Sequence, residues 1–271
     1  MSLIDWLLGL FVGLALGLTG GGGMLAVPAL VLGLDYSMQE ARPAALMAIS
    51  VAASVGALEG FRKKIVRYKA AVVMSLAGIG SAPLGIRLSE SVPADALIYA
   101  FGALLLFVSL KTVFEAIFSS RSVVAAGDSR KLCRINPESG RFYWCPKSFL
   151  TLAGIGGASG VLTGMFGVGG GFLIVPSLRQ HSDLGINSTV ATSLAVIALV
   201  SGGTALLTLA EGVVISPDSL CFISSSIGGM VAARVFAARL PDFYLQLGFA
   251  LITFFAAALM IYQQSTYGTG T

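Results

Sequence analysis

Charged residues are scarce in this sequence: Asp, Glu, Lys and Arg make up 11% of its 271 residues, where a soluble domain carries about 25%. A chain so poor in charge cannot cover a water-facing surface, and a soluble globular protein is excluded. Histidine occurs once, at His181, and cysteine three times. Three cysteines make no disulfide framework, and no CxxC pair or nearby histidine completes a zinc set. Cys133 and Cys145 share one loop, where a disulfide or half of a metal site stays open, while Cys221 lies in an apolar segment as core packing. No acidic residue stands mid-segment in a repeated position, so no buried carboxylate relay is visible. No nucleophile–base pair or metal cluster is visible either, which argues against an enzyme, and no cofactor is expected. The Gly-Lys-Ser/Thr ending of a nucleotide loop is absent, with Met24 and Phe172 standing where it would be polar. The first residues lack the basic region of a secretory signal, and the apolar run behind them is too long for one, so it is read as mature structure.

What the chain has is apolar surface. It is 56% hydrophobic, with a mean hydropathy of +0.88. That composition reads as an all-α polytopic membrane protein whose main partner is the lipid bilayer. The net charge of +4 does not imply nucleic acid, because 11 of the 17 Lys and Arg residues fall in two loops, 62–69 and 119–148. Basic loops report which side of the membrane they face.

Eight apolar segments follow one another, at about 3–34, 43–58, 70–88 and 96–118, then 149–178, 188–209, 219–238 and 244–262. The first and fifth are broken by glycines. Gly20, Gly21, Gly22 and Gly23 run consecutively, and each costs a helix about 1 kcal/mol relative to Ala. The break returns as Gly169, Gly170 and Gly171, with Pro28 echoed by Pro176, at an offset of 148. The same offset matches Gly80 with Gly228, Pro93 with Pro241 and Phe101 with Phe249, while Leu18-Thr19-Gly20 aligns with Leu162-Thr163-Gly164 at 144. Paired glycines and prolines in constant register indicate duplication. The expected organisation is a membrane repeat at 1–118, a hydrophilic linker at 119–148, a second repeat at 149–263 and a polar tail at 264–271. The linker reads as a cytoplasmic β-hairpin turning at Asn136-Pro137-Glu138-Ser139-Gly140.

Two topologies are open. Eight plain spans give parallel repeats. Seven or eight transmembrane helices with each glycine-broken segment re-entrant give inverted repeats, and the basic residues around 179–181 and 234–239 then face the cytoplasm with the other basic loops. The charges favour the inverted form.

In hydrocarbon, irregular backbone survives only inside the protein or along a cavity. Each glycine run precedes a short helix whose first N–H groups are unpaired and whose dipole end is positive. Glycine lets an anion approach such backbone closely. The candidate substrate-binding set is therefore Thr19, Gly20, Gly21, Gly22, Gly23, Gly169, Gly170 and Gly171, with Asn187 as a helix cap and Thr192 and Ser193 as hydroxyl donors. The competing reading makes the glycines packing notches, as in GxxxG contacts, and the hydroxyls ordinary interhelical bonds. Ala44 and Ala45 occupy the first-half positions of Thr192 and Ser193, and Ser50 and Ser54 could substitute for them. His181 reads as a loop residue, Arg87, Arg234 and Arg239 as snorkelling cations, and Lys111 with Glu115 as a mutual i,i+4 pair.

The doubled Gly-Gly-Gly-x-x-x-Val-Pro element, the stretch Ala191-Thr192-Ser193-Leu194 and the paired Gly80/Pro93 and Gly228/Pro241 segments resemble the TauE/SafE sulfite exporter family. The likeness covers about residues 5–262, and residues 135–141 resemble one branch of that family. The resemblance implies a multi-pass inner-membrane protein that moves small inorganic or organosulfur anions, such as sulfite or sulfoacetate. Ala44 and Ala45 depart from the hydroxyl-bearing pattern, so no site is carried onto them. A secondary permease or exporter working by alternating access is the leading expectation; a passive anion channel and a non-transporting membrane scaffold are the alternatives.

Overall fold

The computed structural model describes residues 3–34, 36–119, 146–181, 185–210, 217–236 and 242–267. They form ten α-helices: α1 (Leu3–Thr19), α2 (Ala26–Leu34), α3 (Met38–Arg62), α4 (Tyr68–Ser91), α5 (Ala94–Ser119), α6 (Pro146–Phe166), α7 (Gly171–His181), α8 (Ile186–Ala210), α9 (Pro217–Phe236) and α10 (Asp242–Tyr267). A 3₁₀ turn, Gly22–Leu25, leads into α2. Six of the described helices, α3, α4, α5, α6, α8 and α10, are long and apolar enough to cross a membrane, and the apolar parts of α1, α9 and the 3₁₀–α2 piece are shorter. The protein is an all-α polytopic membrane protein. The linker hairpin and the Cys133/Cys145 pair lie outside the described residues.

Helix ends differ from the expected segments for local reasons. α3 starts at Met38, ahead of Pro43, where the sequence suggested its start. A capping box overrides the proline: Glu40 N–H donates to Ser37 Oγ at 3.3 Å and Ser37 N–H donates to Glu40 Oε2 at 3.1 Å. Pro43 then sits within the helix. α10 continues past 263 to Tyr267, and Gln264 Nε2 donates to Asp95 Oδ1 of α5 at 2.7 Å, tying part of the expected tail to the bundle.

Four pairings build the bundle: α1 on α9, α6 on α4, α3 on α8 and α5 on α10. α3 and α8 are both 25 residues long and each end of one lies 148 positions from the same end of the other. They run antiparallel. Ser50 Oγ donates to Ala198 O at 3.1 Å near the middle, while Gly60 near the end of α3 meets Ala191 near the start of α8. α5 and α10 are likewise antiparallel, with Ser109 Oγ donating to Ala250 O at 2.8 Å. Packing between helices in lipid relies on small residues that let backbones approach. Gly9, Gly13 and Gly17 of α1 lie on α9, and Gly156, Gly160 and Gly164 of α6 lie on α4; at five of these six a methyl group would run into partner backbone atoms.

The two breaks open in the same way. Gly20 follows α1 with φ 68° and Gly167 follows α6 with φ 75°, a left-handed region that favours glycine. Gly20 N–H donates to Leu16 O and Gly167 N–H to Thr163 O, each at 2.8 Å. These two helix ends stand 147 positions apart, where the letters Leu18-Thr19-Gly20 match at 144. The later glycines keep 148, so Val168 is the one extra residue of the second break. Gly169 and Gly170 there also take positive φ, 70° and 64°, whereas Gly21 has φ −118°.

Candidate functional site

Thr19 organises the first break. Its hydroxyl donates to Ala15 O at 2.8 Å and accepts the Gly21 N–H at 3.2 Å. Gly20, Gly21, Gly22 and Gly23 are all buried, as are Gly169, Gly170 and Gly171. The two breaks touch. A Cβ added at Gly21 would lie 3.3 Å from Phe172 Cα and 3.5 Å from Phe172 N, and one at Gly171 would lie 2.5 Å from Gly20 O. One at Gly23 would lie 3.2 Å from Val168 O. The start of the 3₁₀–α2 piece thus abuts the start of α7. Among the described residues the N–H groups of Gly22, Gly23, Gly171 and Phe172 have no hydrogen-bond acceptor. Buried N–H groups without partners are rare, and two helix starts placed together concentrate them with positive dipole ends.

Not every glycine takes part in that contact. Gly22 packs on the backbone of Ala15 and Leu16 in α1, and Gly170 packs on Ser159 of α6. Gly169 meets Ile49 and Ser201, a Cβ there lying 3.0 Å from Ser201 Oγ. Ser159 and Ser201 are fully buried, and their hydroxyls have no hydrogen-bond partner among the described residues.

At the meeting point lies a cavity of about 100 Å³, lined by Thr19, Gly21 and Phe172 together with Thr112 of α5, Thr189 of α8 and Gln246 of α10. A single water needs about 10–15 Å³ on this measure, so a small anion fits. Arg179, exposed near the end of α7, lines it as well. The Thr19, Thr112 and Thr189 hydroxyls donate to the carbonyls of Ala15, Val108 and Gly185 at 2.8, 2.8 and 3.2 Å. Their protons are used, which leaves the Gln246 amide and the Arg179 guanidinium as side-chain donors toward a ligand. Phe249 and Leu245 complete an apolar wall.

Residues 6–260 match the sulfite exporter TauE/SafE family model. The chain belongs to this family. Two curated relatives, each described as a probable membrane transporter protein of Xylella fastidiosa (strains Temecula1 and 9a5c), are 29% and 27% identical to it over 185 residues. Those residues are 68% of this chain and 64% of each relative, so the alignment spans a little under two thirds of the relatives' length. No solved structure matches it. TauE/SafE proteins are transporters and not enzymes, and the chain is a multi-pass membrane protein.

In this TauE/SafE chain the hydroxyl-bearing stretch separates into different places. Ser193 is fully buried at the first break: its Oγ donates to Val190 O at 2.9 Å and lies 3.2 Å from where a Gly20 Cβ would stand. Thr192, also fully buried, instead accepts the Arg67 N–H at 3.1 Å and ties the α3–α4 joint to α8. Asn187 does not cap α8. The helix begins at Ile186, Thr189 N–H donates to Gly185 O at 3.0 Å, and Asn187 is exposed within the first turn. Gly185 takes the cap position because it precedes the first helical residue, two residues earlier than an Asn187 cap would place it.

Sequence reasoning did not single out Thr112, Arg179, Thr189, Gln246, Ser159 or Ser201. Gln246 carried a signal, since it is an amide inside an otherwise apolar segment. Arg179 was visible as a basic residue near the end of the segment, but nothing in its neighbours in sequence tied it to Thr19. Ser159 and Ser201 acquire meaning only through their contact with Gly169 and Gly170.

Proposed function

We propose that this chain is a secondary transporter of the inner membrane that moves a small anion, inorganic or organosulfur, by alternating access between two inverted repeats. The observation that carries the reading is the contact of Gly20 and Gly21 with Gly171 and Phe172, of which Gly21 and Phe172 line a cavity together with Arg179 and Gln246. Unpaired N–H groups of two helix starts stabilise negative charge without a buried cation. Arg179 supplies positive charge at the mouth, where an anion still has water to exchange. The antiparallel packing of α3 with α8 and of α5 with α10 supports inversion, because equivalent helices of inverted repeats run in opposite directions. Each half then contributes a glycine-broken pair and three spans.

Purified protein in proteoliposomes tests this directly. Uptake of labelled sulfite or sulfoacetate should saturate and should follow an imposed proton or sodium gradient. Flux that rises without saturation and ignores both gradients indicates a passive channel. No movement of sulfite, sulfoacetate, sulfate or chloride above empty vesicles sinks the transport reading and favours a scaffold.

A further inference from the structure

A second polar place lies apart from the glycine breaks, in the groove between α3 and α9. We propose that this groove binds the phosphate headgroup of an anionic phospholipid. The groove has a volume of about 380 Å³ and is walled by apolar Leu58, Val231 and Val235, with Glu59, Arg62 and Arg234 at its polar end. Leu58, Val231 and Val235 are 61%, 49% and 61% exposed, and on a membrane protein such a face meets acyl chains. Arg234 crosses from α9 to α3, where its guanidinium donates to Gly56 O at 3.3 Å and its Nε stands 3.4 Å from Glu59 Oε2. Glu59 also pairs with Lys63 through its other oxygen. One carboxylate thus serves two cations. The Arg62 side chain, lining the same groove, has no hydrogen bond or ion pair among the described residues.

The excess of positive charge is not required by the fold. At the offset of 148, Leu207 and Ala210 stand where Glu59 and Arg62 stand, and Ile86 stands where Arg234 does. The corresponding face of α8 and α4 therefore lacks this cluster. The charges gather only at the end of α3 that continues into Lys63, Lys64, Arg67 and Lys69. Guanidinium groups match phosphate oxygens in a bidentate fork, and basic residues between helices at one membrane face suit anionic headgroups. The groove opens sideways among apolar side chains, which a lipid covers with its tails and a soluble phosphate leaves bare.

Native mass spectrometry of the purified full chain, with phosphatidylglycerol or phosphatidylcholine of identical acyl chains, is the test. The wild type should retain phosphatidylglycerol about fivefold more strongly than phosphatidylcholine. Arg62→Gln, an exposed change unlinked to the helix contacts, should bring the two lipids to parity, and Arg62→Lys should keep a preference. Arg234→Gln should act in the same direction; if it misfolds, the Arg62 pair decides alone. Equal retention of phosphatidylglycerol by the wild type and Arg62→Gln overturns the proposal. So does full displacement of the lipid by millimolar inorganic phosphate, which assigns the groove to a soluble anion. Neither outcome bears on anion transport at the glycine breaks.

Discussion

Ser50 Oγ donates to Ala198 O at 3.1 Å across the crossing of α3 and α8, and the two residues are 148 positions apart. That separation is the register at which the glycine runs and prolines repeat. If the halves are duplicates, a residue here touches its own counterpart, and the axis relating the halves passes through this contact. The contact sits amid small residues, with Gly202 of α8 placed where a Cβ would lie 2.8 Å from Ser50 Oγ. A single interhelical hydrogen bond of this kind contributes about 0.6 kcal/mol in a membrane protein. Ser50→Ala should therefore lower the unfolding midpoint in detergent only slightly, while Gly202→Leu, which forces the crossing apart, should lower it markedly. Equal effects of the two would place the strength of the crossing in the hydrogen bond and not in close approach.

Antiparallel equivalents make a topological prediction. The end of α3 and the start of α8 share one face, since Ser188 Oγ donates to Ile65 O at 2.6 Å. Single cysteines at Lys64 and Gly185 should react with a membrane-impermeant thiol reagent from the same side, and one at Ser37 from the other. Labelling of Ser37→Cys and Lys64→Cys from one side would remove α3 from the list of spans and the inverted arrangement with it.

The cavity predicts a split between charge and shape. Hydrogen bonds to charged groups contribute about 1.5–3 kcal/mol, so Arg179→Gln should raise the KM for anion uptake about tenfold or more. Arg179→Lys should keep most of the affinity. Arg62→Gln, which does not line that cavity, should leave uptake unchanged. An unchanged KM in Arg179→Gln would show that the cavity mouth does not hold the substrate.

How far the sequence carried these conclusions depends on the range of the interaction. The glycine breaks were legible because four adjacent glycines and their copy are local signals, and apolar length alone announced a membrane protein. The start of α3 was misjudged because Pro43 is a strong local signal, yet the Ser37–Glu40 capping box three to six residues earlier supplies the donors and acceptors that a helix start needs. The left-handed Gly20 and Gly167 end their helices alike 147 positions apart, a spacing that counting identical letters hid. The glycine stripe at 9, 13 and 17 was also passed over, although its spacing is regular; only contact with α9 distinguishes it from chance in a glycine-rich chain. Thr112 and Gln246 join the candidate site from α5 and α10, and no local pattern says that these helices close over Thr19.

Ser159 and Ser201 allow a prediction whose sign separates structure from function. Both hydroxyls are fully buried without hydrogen-bond partners among the described residues, one beside Gly170 and the other beside Gly169. Burying a hydroxyl unpaired costs about 1–3 kcal/mol. If that cost serves nothing, replacing the group with a methyl should stabilise the protein and leave transport alone. If the hydroxyls meet the anion as it passes the second glycine turn, Ser201→Ala should raise the unfolding midpoint in anion-free detergent and still slow uptake. Ser159→Ala should behave in the same way. A stabilised variant with full transport would assign both serines to packing. A stabilised variant with impaired transport ties the second break to the substrate, because loss of fold cannot account for the impairment.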